Sequence, residues 1–178
     1  MKNTMLLILL TVFYMNAQKP EVIKIEPVPN EDVTLSANLS QGVKIDDLSW
    51  AWSSQNACFV AFQQHKFTGN HVLFTGIIPP YSEITVTVIP KDPNANFSIY
   101  AYEVGVDKMP IVPDLPSCIR CEADYKWDRK WKGLTQDHTR RVKNLVALSK
   151  PYRMIIGVVG AEGLEEGEFT MVVSTKSR

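Results

Sequence analysis

Three cysteines are the residues of this sequence with the most distinctive chemistry. Cys118 and Cys121 have the C-x-x-C spacing, and Cys58 precedes them. Three prolines between residues 110 and 116 favour an extended loop over the strand and helix that frame a redox motif. A zinc site would draw on Cys58 and the histidines, which have no motif spacing. The pattern favours a structural disulfide that joins Cys58 to Cys118 or to Cys121, with a zinc site and redox chemistry as the alternatives.

The histidines are the residues to consider first for acid–base catalysis. His71 begins an apolar segment, which favours an edge position on a strand with satisfied hydrogen bonds. His65 and His138 lie in polar stretches, and we expect both to be exposed. The sequence has no G-x-S-x-G motif, so a serine nucleophile with an oriented base is not indicated.

Paired carboxylates are the other possible catalytic groups, since glycoside hydrolysis needs two of them. Asp46 and Asp47 are adjacent and would point apart on a strand. Glu162, Glu165 and Glu166 lie between two glycines, where a solvated turn is favoured. The sequence therefore predicts no enzymatic activity, and a hydrolase of unrecognised type is the enzymatic alternative.

The segment 92–96 has the D-x-N-x-N opening of an oxygen-rich calcium loop, with Glu103 at its twelfth position. Phe97 stands where such a loop needs glycine, and the following residues are typical of a strand. An extended backbone would carry Glu103 roughly 20 Å from the turn. The pattern favours a hairpin turn, and Asp92 with Asn94 remains a weak calcium candidate; no other cofactor is expected.

Two tryptophan pairs are candidate binding residues. Trp50 and Trp52 would share one face of a strand, and Trp127 and Trp131 would share one face of a short helix. An exposed pair stacks on sugar rings or anchors a protein partner, whereas a buried pair is part of the core. Because the residues around Trp127 and Trp131 are polar, this pair is the stronger candidate for binding.

The first 17 residues have the parts of a secretion signal. Lys2 supplies a positive charge, residues 5–14 form an apolar run, and Ala17 ends a segment suited to cleavage. The run is shorter than the about 20 residues that a membrane-spanning helix needs. We therefore expect a mature chain that begins at Gln18, lies in the periplasm or outside the cell, and has no membrane span.

Residues 18–178 are enough for a single domain with a substantial core. The full sequence has 19 basic and 19 acidic residues, and the signal removes only Lys2, which leaves 18 against 19. A chain with almost no net charge has no general attraction for nucleic acid. The expected partner is therefore not a nucleic acid.

Alternation of apolar and polar residues is the dominant pattern and predicts strands. In the segment 83–88, Ile84, Val86 and Val88 would face one way, and Phe169, Met171 and Val173 repeat this pattern. The predicted strands are 33–39, 58–63, 71–77, 83–88, 96–103, 142–148, 152–159 and 168–173. This number of strands favours an all-β fold, a closed sandwich of two antiparallel sheets with one long irregular loop at 106–141.

From Phe67 onward the chain resembles the bacterial pre-peptidase C-terminal domain family. The resemblance is carried by three blocks of packing residues, at 67–74, at 83–90 with 96–101, and at 151–158 with 167–173. It covers roughly the last 110 residues apart from the long loop. It implies a secreted, jelly-roll-like β-sandwich without catalysis of its own, of the kind usually attached to secreted hydrolases.

The sequence departs from that family in two respects. We expect no hydrolase domain before the sandwich, and the loop with Cys118 and Cys121 is an addition. These departures favour a stand-alone, non-catalytic binding or structural module at the cell envelope or outside the cell. Its partner would be a protein or a glycan, and the carbohydrate-binding alternative uses Trp127 and Trp131.

Overall fold

The structure, a computed structural model, describes residues 20–49, 61–114, 120–122, 133 and 138–178. Its strands form two sheets that pack face to face, as the sequence predicts. The six-stranded sheet contains β1 (Val22–Lys24), β3 (Val43–Lys44), β4 (Asn70–Ile78), β6 (Phe97–Val104), β7 (Arg120–Glu122) and β9 (Tyr152–Gly160). The four-stranded sheet contains β2 (Asp32–Asn38), β5 (Ser82–Pro90), β8 (Arg140–Ala147) and β10 (Glu168–Ser177).

The strand order in the larger sheet is β1-β4-β9-β6-β7, with β3 paired to the start of β4, and in the smaller sheet it is β2-β10-β5-β8. All pairs are antiparallel except β1 with β4. The chain crosses between the sheets at both ends of the sandwich. Residues 25–31, 79–81 and 148–151 connect strands at one end, and residues 91–96 and 161–167 connect strands at the other.

The core between the sheets is built by the alternation predicted from the sequence. Ile84, Val86 and Val88 on β5 are buried, and Met171 and Val173 on β10 lie opposite Val88 and Val86. The ring of Phe169 contacts those of Phe74 and Phe97, with centroid distances of 6.2 and 5.5 Å. The predicted inward direction of these residues is confirmed.

The outer face of the six-stranded sheet is also covered, and this second apolar cluster is centred on Tyr100. The Tyr100 ring lies over Gly157 on the neighbouring strand, where a Cβ atom would be 2.0 Å from the ring. Phe67 and Tyr102 pack against it, at centroid distances of 6.4 and 6.5 Å. This explains why β4, β6 and β9 are buried almost throughout.

The predicted strand at 58–63 is wrong for its last three residues. Residues Ala61–Phe67 form a 3₁₀ helix. In this helix Lys66 and Phe67 are buried and His65 is exposed, a pattern that places Phe67 on the outer face of the larger sheet. The need to cover that face overrides the local strand preference of the segment.

The long loop is shorter than predicted, because β7 interrupts it and β8 begins at Arg140. With β1 and β3, β7 raises the described strands to ten. Strands of two or three residues have no measurable alternation, so the sequence could not predict them. Within the described residues no helix is long and apolar enough to cross a membrane.

Candidate binding surface

Most of the predicted site residues lie outside the described part of the chain. These are Trp50, Trp52, Trp127, Trp131, Cys58 and Cys118. The backbone of Cys121 is described, and it pairs with Tyr100 across β6 and β7. The disulfide and the tryptophan binding surface therefore stay predictions.

Asp92 and Asn94 lie in the turn between β5 and β6. Oδ1 of Asp92 accepts hydrogen bonds from the backbone N–H and from Nδ2 of Asn94, at 2.9 and 3.0 Å. A carboxylate that closes the turn in this way is typical of a hairpin connection. No group of three His, Cys, Asp or Glu residues suited to a metal occurs among the residues that the structure describes. Calcium binding by Asp92 and Asn94 stays a prediction.

His71 is not at an edge, as the sequence suggested, but is paired on both sides, with Val43 and Val159. It is fully buried, with Nε2 3.0 Å from the carbonyl of Phe67 and Nδ1 3.3 Å from the hydroxyl of Tyr100. Since a carbonyl only accepts, Nε2 carries the proton and Nδ1 accepts from the tyrosine. Burial lowers the pKa of His71 to about 4. The imidazole is therefore neutral near pH 7 and inaccessible to a substrate.

The other two histidines and the carboxylate clusters are in the positions that the sequence indicates for surface residues, with one exception. His65, Asp46 and Asp47 are exposed. His138 is only half-exposed, because its Nδ1 atom lies 3.1 Å from Nη2 of the buried Arg140. His138 thus lies against the first residue of β8.

The glutamates of the turn between β9 and β10 lie next to lysines. Oε1 of Glu162 is 3.3 Å from Nζ of the buried Lys66, and Oε1 of Glu165 is 3.9 Å from Nζ of Lys44. These contacts connect the turn to the segments before β4. The arrangement stabilises this end of the sandwich, and it does not form a pair of carboxylates facing one cleft.

The most conspicuous surface is at the opposite end, and it is apolar. The described residues include eight exposed large hydrophobic side chains, and only Ile89 lies outside this end. Scattered exposed apolar residues are normal, but a cluster marks an interaction surface. We call this surface the apolar end, and it consists of Val28, Ile77, Tyr81, Val106, Met109, Leu148 and Tyr152.

Backbone contacts hold the centre of the apolar end together. The N–H of Tyr81 donates to the carbonyl of Leu148 at 2.7 Å, so the two most exposed of the described large hydrophobic residues, at 63% and 64%, are neighbours. Tyr152 pairs with Ile78 at the end of β4. The turn between β4 and β5 and the turn between β8 and β9 therefore present one continuous surface.

Arg153 extends this surface toward the end of β6. Its guanidinium donates to the carbonyl of Val106 through Nε at 3.1 Å and through Nη2 at 2.6 Å. Its backbone pairs with Ile77 on one side and Val104 on the other. The arginine thus connects the exposed residues Ile77 and Val106 across the sheet.

The backbone of Tyr81 has a conformation that is unfavourable for an aromatic residue. Its φ is 55°, in the left-handed region. The hydrogen bond to Leu148 holds one side of this residue, and the N–H of Arg178 donates to its carbonyl at 2.7 Å. Strained backbone of this kind is found mainly where function requires it. Here it places an aromatic ring in solvent.

Two depressions adjoin the apolar end. One, of about 360 Å³, is lined by Glu103, Val146, Leu148, Ser149, Lys150 and Tyr152. The other, of about 570 Å³, is lined by Val104, Gly105, Lys108, Met109, Pro110 and Asp114. They make the surface uneven, and depressions of this kind can accept a side chain of another molecule.

A third and larger depression, of about 860 Å³, lies elsewhere, on the outside of the smaller sheet. It includes Ser36, Asn38, Gln41, Thr170 and the ion pair of Lys91 with Glu168. Asn38 and Gln41 already bond to the backbone around them. We regard this groove as the solvated outer surface of a twisted sheet, because its polar side chains serve the local turn.

Sequence reasoning missed the apolar end, although a signal was present. Tyr81 follows two prolines, and Leu148 and Tyr152 flank a Ser-Lys-Pro turn. A large apolar residue inside a turn segment lies outside the strands that build the core, and it is therefore a candidate for exposure. The alternation of the neighbouring strands predicts which residues face the core, and it gives no information about the turns.

No protein-family model matches this chain, and no curated protein matches it. The solved structures that are similar to it include two at 10% sequence identity each. One is PliG of Aeromonas hydrophila, a periplasmic lysozyme inhibitor of g-type lysozyme, with a TM-score of 0.44 over 87% of this chain and 97% of that one. The other is the pre-peptidase C-terminal domain of a collagenase from Bacillus anthracis, with a TM-score of 0.38 over 90% of this chain and 100% of that one. The second belongs to the family that the sequence resembles.

Proposed function

We propose that this chain is a non-catalytic binding protein that acts outside the cytosol and contacts a protein partner through the apolar end. The observation that carries the proposal is the placement of Tyr81 and Leu148, which lie side by side and are about two-thirds exposed. Burying a side chain of this size on binding contributes roughly 1.5–3 kcal/mol.

The composition of the surface supports a protein partner. Tyrosine and arginine are enriched among the residues that dominate protein interfaces, and Tyr81, Tyr152 and Arg153 provide both types here. Lys150 lines the same depression as Tyr152, and Arg178, which bonds to Tyr81, pairs with Glu83 at 3.1 Å. An apolar centre with a charged rim is the usual anatomy of such an interface.

The candidate catalytic groups support binding rather than catalysis. His71 is buried and neutral, and its two nitrogens bond to Phe67 and Tyr100. Glu162 and Glu165 contact lysines within a turn. A hydrolase would need a base or a pair of carboxylates open to one cleft. Turnover of ester or glycoside substrates, lost in a single carboxylate or histidine variant, would contradict the proposal.

Action outside the cytosol is proposed from the secretion signal predicted in residues 1–17. Its test is the N-terminal sequence of the protein recovered from the producing cell. We expect the mature chain to begin at Gln18. Recovery of the intact chain from the cytosolic fraction would contradict this part of the proposal.

The partner can be sought by photo-crosslinking in the cell that naturally produces the protein. A benzophenone amino acid is placed at Leu148, in the apolar end, and at Ile89 in a matched control. We expect one discrete adduct from position 148, identified by mass spectrometry, and none from position 89. Equal labelling from both positions would show that contact is not specific to the apolar end.

A further inference from the structure

Three of the four sheet edges are protected against the addition of another strand. On the larger sheet, β1 and β3 form one edge and β7 the other, and each has only two or three residues. On the smaller sheet, β8 carries Arg141 and Lys143, and its pairing with β5 shifts between Ile84 and Val86. Short strands, basic side chains and irregular pairing are the usual means of protecting an edge.

The fourth edge, β2, has none of these features. Its seven residues pair with β10 in unbroken register, from Asp32 opposite Ser174 to Asn38 opposite Glu168. The strand contains no proline, lysine or arginine. In the described part of the chain no strand pairs with its outer side.

The outer side of β2 carries main-chain hydrogen-bonding groups at alternate residues. The N–H of Leu39 donates to Gly167, and the carbonyl of Glu31 accepts from Thr175, so odd-numbered residues direct their groups toward β10. The even-numbered residues therefore point theirs away from the sheet. Thr34 and Ser36 form the centre of this outward row, and the N–H of Asn38 is already bonded to Gln41.

The side chains of β2 also suit a sheet that continues. Val33 and Leu35 face the core and pack against it, but both are only half-buried. Another strand alongside β2 would cover their exposed sides. Thr34 and Ser36 point to the outer, solvated face, where their polar groups are acceptable on a strand.

We propose that β2 pairs antiparallel with β2 of a second copy of this chain, so that the two four-stranded sheets become one. With Leu35 opposite its own copy, Thr34 lies opposite Ser36 of the other molecule, and each pair exchanges main-chain hydrogen bonds. The leucines meet on the core side, and Val33 lies opposite Ala37. One patch that pairs with itself is the rule for twofold dimers.

The positions of the charged residues in this register favour a second copy of the chain as the partner of β2. Glu31 and Asp32 are the only charged residues in the segment 27–43, which contains the strand, and both lie at its first end. An antiparallel partner places Asp32 opposite Asn38 and Glu31 opposite Leu39. The acidic ends are therefore kept apart, and the carboxylate of Asp32 faces an amide.

Amide hydrogen exchange followed by NMR, together with sedimentation over a concentration series, tests this dimer. We expect the amides of Thr34 and Ser36 to become protected as the dimer forms, and those of Val33, Leu35 and Ala37 to be protected in the monomer as well. A chain that stays monomeric throughout would overturn the proposal. Protection of Thr34 and Ser36 that does not change with concentration would overturn it too, because a segment of the same chain would then cover the edge.

Thr34→Pro is the diagnostic variant, because it removes an outward N–H and leaves the pairing with β10 intact. Thr34→Val is its control, since it keeps the N–H. We expect the proline variant to weaken the dimer on the order of 100-fold, and the valine variant to have little effect. A dimer that Leu148→Ser abolishes and Thr34→Pro spares would place the contact at the apolar end and overturn the proposal.

Discussion

The two ends of the sandwich differ in what they expose and what they bury. At the polar end, formed by residues 90–97, 138–140 and 160–168, the chain buries a charged side chain and gives it hydrogen-bond partners. Arg140 is fully buried, and it donates to the carbonyl of Phe97 at 2.7 Å and to Oδ1 of Asn96 at 2.9 Å. At the apolar end the chain instead exposes tyrosine and leucine to solvent. One end is closed by its own polar contacts, and the other is left open.

Because of this difference, we expect the polar end to serve stability and the apolar end to serve binding. The polar end buries an arginine, which is costly, and gives its guanidinium hydrogen-bond acceptors within the chain, so these contacts hold the fold. The apolar end uses residues that gain nothing from exposure, and Tyr81 adds backbone strain. Changes at the first end should therefore alter folding, and changes at the second should alter binding.

The largest effect is expected at Arg140. Arg140→Ala removes a buried guanidinium and the hydrogen bonds that it donates to the carbonyl of Phe97 and to Oδ1 of Asn96, so we expect a loss of about 4 kcal/mol in the free energy of unfolding. Urea denaturation measures it. Arg141→Ala on the same strand is the control, because Arg141 is exposed and should lose less than about 1 kcal/mol. Similar losses in the two variants would contradict the account of the polar end.

The next effect is the pH dependence that comes from His71. Its pKa is about 4 in the folded chain and near 6.5 in the unfolded one, so between these values the unfolded chain binds more protons. The contribution of neutral His71 to the free energy of unfolding is fully present above about pH 6.5. As the pH falls toward 4 this contribution is lost, and the free energy of unfolding decreases by about 3 kcal/mol.

Denaturation of wild type and His71→Gln over pH 4–8 checks this prediction. The difference between the two proteins should be largest above pH 6.5 and should shrink as the pH falls. Parallel curves would show that the buried imidazole does not set the pH dependence.

The smallest effect is expected at Tyr81. Because asparagine tolerates a positive φ better than an aromatic residue, Tyr81→Asn should leave stability unchanged or raise it by up to about 1 kcal/mol. Thermal unfolding of the two proteins makes the comparison. A loss above about 1 kcal/mol would show that the ring packs against the fold and is not held out for a partner.

The parts of the fold that the sequence predicted are those in which one local pattern dominates. β5 and β10 alternate cleanly because each has one face on the core, and their inward residues Ile84, Val86, Met171 and Val173 were predicted correctly. The 3₁₀ helix at Ala61–Phe67 was not predicted, because it follows from the need to cover Tyr100, which is distant in sequence.

The candidate site was harder to predict for a related reason. A turn residue such as Tyr81 is exposed or buried according to what the neighbouring turn does, and its neighbour Leu148 is far away in sequence. Burial of Lys66 and Arg140 has the same origin, because a charged residue in a sequence gives no sign of the partners that the fold will bring to it.

The most direct test of the account is the affinity of the purified chain for the protein that cross-links to position 148, measured by isothermal titration calorimetry. Wild type is compared with the double variant Tyr81→Ser, Leu148→Ser and with the control Ile89→Ser. We expect the double variant to bind on the order of 100-fold more weakly and to keep its unfolding temperature, and the control to bind like wild type. Equal affinity of the double variant and wild type would contradict the claim that the apolar end is the binding surface.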